Sequence, residues 1–457
     1  MLDNINKIIR NRFIIKSGFL NRYEAIKKNP FLSRNEIEEI SFNKLRKLLI
    51  HCCIYVPYYS KTMKEIGFNP YNFNLNDFKK LPVVNKKIIQ ANPSDFIDYR
   101  YRKCFRNAKS YKNMNFFEIL FFILSLNQRI FLDSTTGSTG KPLYFLQNKH
   151  SYVNLLLGIL RSWKYMGYKK SNKLLLIWQE DLQMHKTSLF LKIMYSMANI
   201  EVINFTEFSR KKTKIIITKI KKIRPVYIIG FPSIIYWIGQ YILENKEKKL
   251  PRIKSIQLIG EQVFYFQKAL IEKAFGSKVF FTYGSRELGH IALEDNCHKG
   301  LHINEDMVHL ELNSKREIII TNFQNFIMPF IRYNTEDIAL SKVFFSEHKC
   351  KNNFKMIKNV IGRKYDHIAT PNNRKIHAFY FLRVLSNKKI LQFQLIQRRK
   401  DLIDVILYSK QNIEKEIKII KTKLRKFLGR SIKINIKKLD APIKSKNKFK
   451  YVISNID

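Results

Sequence analysis

The segment Ser134-Thr135-Thr136-Gly137-Ser138-Thr139-Gly140-Lys141-Pro142-Leu143 concentrates groups that can hold an anion. Hydroxyls and glycine N–H groups donate hydrogen bonds, and Lys141 adds a positive charge. Gly137 and Gly140 let the backbone come close to a ligand. Such a loop is suited to polyphosphate. It is not the P-loop pattern, which needs four residues between its glycines and Ser or Thr after the lysine. Here two residues separate Gly137 from Gly140, and Pro142 follows Lys141. Taken alone, the same residues would also make an ordinary flexible surface loop.

Further polar groups follow in order along the chain. They are Gly260-Glu261, then Tyr283-Gly284-Ser285-Arg286-Glu287, then Pro329-Phe330-Ile331-Arg332-Tyr333-Asn334-Thr335-Glu336-Asp337. Gly362-Arg363-Lys364-Tyr365-Asp366 and Asn447-Lys448-Phe449-Lys450-Tyr451 close the series. Singly, Glu287 or Asp337 would serve as a helix cap or an ion-pair partner, and Lys448 is one lysine among many. Cys297-His298, His302 and His348-Lys349-Cys350 bring together the ligand types of a structural zinc site. A buried cysteine equally behaves as a small apolar residue.

The elements that must position these groups alternate between strand and helix. Residues 4–55 carry apolar positions at three and four spacing, and Pro57 ends that pattern. Lys149–Tyr165 suits a helix and Leu174–Trp178 a buried strand. A helix at 185–198, a strand at Glu201–Asn204 and a helix at Thr213–Ile223 follow. Val226–Gly230 is a strand, and Ser233 can cap the helix after it. Ile256–Ile259, Gln267–Ala274 and Lys278–Phe281 read as strand, helix and strand. This alternation predicts an α/β sheet with helices on its faces. Ligands in such sheets sit at the carboxyl ends of strands, where Gly230, Gly260 and Tyr283-Gly284 fall. Beyond residue 302, His309–Leu312 and Glu317–Thr321 suggest a hairpin. Ile390–Gln397, Leu402–Leu407, Glu414–Leu428 and Ile432–Lys437 form a small α+β unit.

The chain has 457 residues, of which 45% are hydrophobic, enough for a large core and more than one domain. Its formal net charge of +48 has two readings. Lys, Ile and Asn recur throughout, as codon bias of an AT-rich genome would produce. An anionic lipid surface, charged polysaccharide or nucleic acid would also select it. The charge is spread along the chain, with only short runs such as Arg210-Lys211-Lys212, which argues against a dedicated nucleic-acid module. Five cysteines, an odd and sparse set, argue against a disulfide framework and for a reducing compartment. The N-terminus carries charges where a signal peptide needs an apolar run. The most apolar stretch, Phe116–Leu126, is too short to span a bilayer and fits a buried helix or a dip into the membrane interface. These features suit a cytoplasmic protein, with its charge able to touch the inner membrane face.

Read together, the ordered motifs resemble the adenylate-forming superfamily of acyl-CoA synthetases. They resemble most the phenylacetate–CoA ligase branch, and within it the CapK-type proteins of capsule and exopolysaccharide loci. His51 with Val56-Pro57-Tyr58-Tyr59, Leu81-Pro82, Gly300-Leu301-His302-Ile303 and Gln392-Phe393-Gln394 match that branch too. The resemblance implies a large domain over 1–361 that binds ATP and an acyl group. A small mobile α+β domain over 362–457 would follow as a lid. It implies that Ser134, Thr135, Thr136, Gly137, Ser138, Thr139, Gly140 and Lys141 wrap the ATP phosphates. Gly260 and Glu261 would lie beside the adenine, Tyr283 would stack on it, and Gly284 and Ser285 complete that motif. Glu287 would ligate Mg²⁺, Asp337 the ribose hydroxyls, Arg363 would lie at the hinge, and Lys448 would enter the site during adenylation.

The implied reaction activates a small carboxylic acid as acyl-adenylate. CoA is the default acceptor, a sugar amine or hydroxyl the alternative, and surface-polysaccharide assembly the setting. A non-catalytic homologue serving as a scaffold in that machinery is the competing reading. Some members of the branch resemble the Cys/His arrangement as well, which implies a Zn²⁺ site from Cys297, His302, His348 and Cys350. The chain departs from the family pattern at Asn447, at Arg286, at Tyr365 and at Glu336, where a glycine is usual.

Overall fold

The computed structural model describes residues 19–107, 130–135, 142–169, 171–179, 195–196, 198–247, 249–345, 350–363, 367–385, 389–429, 431–443, 449–454 and 456. Phe116–Leu126, most of 185–198, the loop residues 136–141, His348 and Lys448 lie outside them.

Along the chain, helix α1 (Arg34–Tyr55) precedes strands β1 (Ile130–Ser134) and β2 (Tyr144–Asn148) and helix α2 (Lys149–Tyr165). Then come β3 (Leu174–Gln179), β4 (Ile200–Phe205), α3 (Arg210–Ile223), β5 (Tyr227–Gly230), α4 (Pro232–Glu244), β6 (Ser255–Leu258) and α5 (Tyr265–Phe275). Six strands follow: β7 (Lys278–Ser285), β8 (Gly289–Glu294), β9 (Leu301–Ile303), β10 (Val308–Leu312), β11 (Glu317–Asn322) and β12 (Tyr333–Ala339). The C-terminal part holds β13 (Met356–Ile357), β14 (Val360–Arg363), β15 (His367–Ala369), β16 (Lys375–His377), α6 (Ala378–Leu385), β17 (Gln392–Arg399), β18 (Leu402–Tyr408), α7 (Glu414–Leu428), β19 (Lys433–Leu439) and β20 (Val452–Ser454).

These elements form two compact units. The first draws on Met1–Lys169 and Phe280–Val360, the second on Lys170–His185, Met194–Val279 and Ile361–Asp457.

In the first unit, local chemistry sets the helix ends. Ser33 and Glu36 make a reciprocal capping box at the start of α1, and Pro57 disfavours helical backbone at Val56. Asn148 accepts the Ser151 N–H at 2.8 Å and starts α2. Strands β1 and β2 pair antiparallel, with Ser134 opposite Tyr144. Strands β7, β8, β9 and β13 pair antiparallel in that order, as do β10, β11 and β12. Beneath them Arg161 of α2 and Asp306 form a buried ion pair at 2.6 Å. Asn29 donates to the same carboxylate at 2.7 Å, and Arg161 also donates to Asn304 and to the Ile26 carbonyl. Such burial of charge is sustained by an opposite charge and hydrogen bonds close at hand.

In the second unit, β6, β5, β3 and β4 lie parallel in that order. The run Leu174–Ile177 is apolar throughout and fully buried, as a strand covered on both faces requires. Helix α3 turns Thr213, Ile216, Ile217 and Ile220 inward and its lysines outward, the three–four spacing of an amphipathic helix. Trp237 of α4 donates its indole N–H to Thr213 at 2.8 Å. In the C-terminal part, β17 and β18 pair antiparallel, with β19 parallel to β18 and β20 parallel to β17. Ile403, Val405 and Leu407 alternate inward against Ile420, Leu424 and Leu428 of α7. Each such fully buried side chain stabilises by about 1.5–3 kcal/mol. The expected α/β class and the small α+β piece are both present.

Candidate functional site

Tyr283, Gly284 and Ser285 end β7, and Ser285 pairs with Gly289 of β8. Arg286, Glu287 and Leu288 are therefore the turn of a tight hairpin. Gly284 is required there, because a Cβ would overlap the Gly289 carbonyl oxygen. The Ser285 hydroxyl accepts the Leu288 N–H at 3.3 Å, and the Glu287 carbonyl accepts from Asn322 at 3.3 Å. The Tyr283 hydroxyl donates to Asp337 Oδ2 at 2.8 Å and lies 3.3 Å from Thr335 Oγ1. Burial, then the Asp337 charge, push the Tyr283 phenol pKa well above its usual value. Tyr283, Glu287 and Asp337 thus share one unit, and Tyr283 touches Asp337 directly. Glu336, in the middle of β12, has φ +63°, the left-handed region that glycine occupies without strain.

Ser134 ends β1 and Thr135 follows it. The Thr135 N–H donates to the Leu143 carbonyl at 2.9 Å, and the Thr135 hydroxyl accepts the Leu143 N–H at 3.0 Å. These two bonds extend the pairing of β1 and β2 by one residue on each strand. Asp133 Oδ1 accepts the Ser134 N–H at 2.7 Å and lies 3.0 Å from Arg286 Nη2. Burial raises the Asp133 carboxyl pKa, and Arg286 and the Ser134 N–H only partly offset that.

Gly260, Glu261 and Arg363 belong to the second unit. The Glu261 carboxylate accepts the Ser233 N–H and the Ser233 hydroxyl, each at 3.0 Å. Ser233 is thus inside the first turn of α4. Phe231 takes the N-cap position and Pro232 the first helical one, so Ser233 is not the cap its type suggested. A carboxylate at a helix N-terminus is favoured by the dipole. Arg363 ends β14, and its carbonyl is 2.9 Å from His377 Nε2. From the Asn447–Tyr451 motif, Phe449 is buried and Tyr451 accepts from Gln267 at 2.8 Å.

The structure joins Cys297 and Cys350 as a disulfide, with Cα atoms 6.0 Å apart. One ligand atom each from Asp295, His302 and Cys350 lie within 4.8 Å of one another. His302 Nδ1 donates to the Phe354 carbonyl at 3.1 Å, which leaves Nε2 facing Asp295 Oδ2 at 3.2 Å. Burial opposes ionisation of Asp295, but His302, the Cys297 N–H and Asn352 together outweigh it and lower that pKa. Asp295 was missed in the sequence, although it stands two residues before Cys297. Asp133 and Arg286 were missed as a pair, although each adjoins a motif residue.

No protein-family model matches the chain. Its fold is that of the adenylate-forming ligases. A 2-hydroxyisobutyryl-CoA ligase in the postadenylation state matches with TM-score 0.70 and 13% identity, over 94% of this chain and 92% of that one. An open conformation of 2-hydroxyisobutyryl-CoA ligase in complex with 2-HIB-AMP and CoA matches with TM-score 0.54 and 16% identity, over 90% of each chain. In sequence the chain is similar to Protein CapK of Staphylococcus aureus, 21% identical over 434 residues, 92% of this chain and 89% of CapK. Among the described residues no helix is long and apolar enough to cross a membrane.

Proposed function

We propose that the protein activates a carboxylic acid with ATP and Mg²⁺. A carboxylate oxygen attacks the α-phosphorus, the bond to the β-phosphate breaks, and pyrophosphate leaves with the electron pair. The acyl group then passes to the thiol of CoA, or to a sugar amine or hydroxyl, and AMP departs. The likeness of fold over 94% of the chain carries this reading. Tyr283 and Asp337 take the nucleoside, the Ser134–Lys141 loop the phosphates, and Glu287 the Mg²⁺, which spreads the charge developing on phosphoryl oxygens. The resemblance of motifs assigns Gly260 and Glu261 to the adenine, Lys448 to the adenylation step and Arg363 to a hinge that would let 362–457 act as a lid. The likeness to CapK and the +48 charge support a setting in surface-polysaccharide assembly at an anionic membrane face within the cytoplasm.

A pyrophosphate-release screen across an acid library tests the reading. Release should need ATP, Mg²⁺ and one class of acid, and Lys448→Ala or Glu287→Ala should lower it about 10²-fold. A second reading is favoured by Glu336, a carboxylate next to Asp337 in strained backbone. It is a scaffold member of the same fold that binds ATP without turnover. ATP binding with no release for any acid would select it, and salt-sensitive binding to anionic vesicles would support its place at the membrane.

A structural zinc site extends the proposal. Reduction of the Cys297–Cys350 pair would give two thiolates beside His302 and Asp295, a donor set that suits Zn²⁺. His348, expected as the fourth ligand, lies outside the described residues, and Asp295 takes its place in this reading. Metal analysis of reduced protein should find one zinc per chain, absent from Cys350→Ser. A metal-free folded protein ends the idea.

A further inference from the structure

The hairpin turn that carries Glu287 is held from both strands that flank the hydroxyl–glycine loop. From β1, Asp133 Oδ1 meets Arg286 Nη2 at 3.0 Å. From β2, Gln147 Nε2 donates to the Arg286 carbonyl at 3.3 Å. The same Asp133 oxygen accepts the N–H of Ser134, where the loop begins, at 2.7 Å. One carboxylate oxygen therefore ties the base of the loop to the neighbour of Glu287. Asp133 is 4% exposed, so its geometry is fixed by these partners rather than by water. The Arg286 side chain is partly exposed.

We propose that Asp133 and Arg286 are positioning residues, which set Ser134 against the turn at Glu287 so that both meet the same polyphosphate. The proposal rests on the reading of the loop as a phosphate site. It assigns the pair to the phosphates and not to the nucleoside, which Tyr283 and Asp337 hold from β7 and β12. An ion pair is suited to this task, because its planar guanidinium fixes direction as well as distance.

Titration calorimetry with Mg·ATP and with AMP separates the two halves of the nucleotide. Arg286→Gln should raise the Kd for ATP about tenfold or more, the scale of one lost charged hydrogen bond. It should leave the Kd for AMP within about twofold. Arg286→Lys, which keeps a cation for Asp133, should recover part of the loss. Asp133→Asn should mimic Arg286→Gln, and the double variant should be no worse than either single one. Thermal melts identify any variant that fails to fold, and the double variant, which leaves no unpaired buried charge, then decides. An unchanged Kd for ATP, or equal losses for ATP and AMP, overturns the proposal while the adenylation reading stands. A parent chain that binds neither nucleotide overturns both.

Discussion

The Tyr283 hydroxyl donates to the Asp337 carboxylate at 2.8 Å, joining the end of β7 to β12. Tyr283→Phe keeps the ring and removes this bond. A hydrogen bond to a charged group contributes about 1.5–3 kcal/mol, so urea unfolding should show a loss of that size near pH 8. The folded phenol titrates above its unfolded value of about 10. Its contribution is thus complete below pH of about 10 and is lost as pH rises beyond. The gap in Tm between parent and variant should narrow in strong base; a constant gap would contradict the assignment.

Gly284→Ala places a methyl against the Gly289 carbonyl oxygen. The β7–β8 turn must open to admit it, at a cost of about 1–3 kcal/mol. Because Glu287 rides on that turn, pyrophosphate release should fall more steeply than stability does. Paired denaturation and rate measurements check this.

Glu336→Gly should raise stability. The left-handed backbone at φ +63° costs a side-chain-bearing residue about 1–2 kcal/mol, and the extra freedom of an unfolded glycine returns part of that. A net gain of about 0.5–1 kcal/mol in urea unfolding is expected. A loss would show that the Glu336 carboxylate makes contacts worth more than the strain.

Asp306 supplies the acid-sensitive part of the first unit. Burial opposes its ionisation, but the charge and hydrogen bonds of Arg161, with Lys44 and Asn29, hold its pKa at about 2. This depressed carboxyl contributes stability above its unfolded value of about 4, lost as pH falls toward 2. Asp306→Asn leaves Arg161 buried without its counter-charge and should cost about 3–5 kcal/mol at neutral pH. Melts from pH 7 to pH 2 should show the parent descending toward the variant.

The sequence revealed most where burial is one-sided or complete. Lys149–Tyr165 and Glu414–Leu428 form the expected helices, end for end, because their apolar spacing matches a single buried face. Leu174–Ile177 was legible as a buried strand because it is apolar throughout. Strand β12 was not, since Tyr333-Asn334-Thr335-Glu336-Asp337 is polar and only partly buried. The hairpin around the hydroxyl–glycine loop was also hidden, because five-residue strands give a weak periodic signal. Motif order set Tyr283 and Asp337 in one series, and the structure brings the two side chains into contact. Asp133 and Arg286 escaped because a pair so distant in sequence cannot be told from other pairings in a chain with 84 lysines and arginines.

The bond between Asp133 and Arg286 also has a bearing on biosynthesis. The first unit takes its strands from both sides of Met194–Val279, a segment of the second. A ribosome making the chain at its usual pace delivers Arg286 roughly ten seconds or more after Asp133. During that interval the β1–β2 hairpin has no cation from the β7–β8 turn, and the parallel strands of the second unit emerge in full. The Asp133–Arg286 contact is therefore a late event on the nascent chain, and a product stalled or truncated before Arg286 would carry a buried-type carboxylate at Asp133 without its cation.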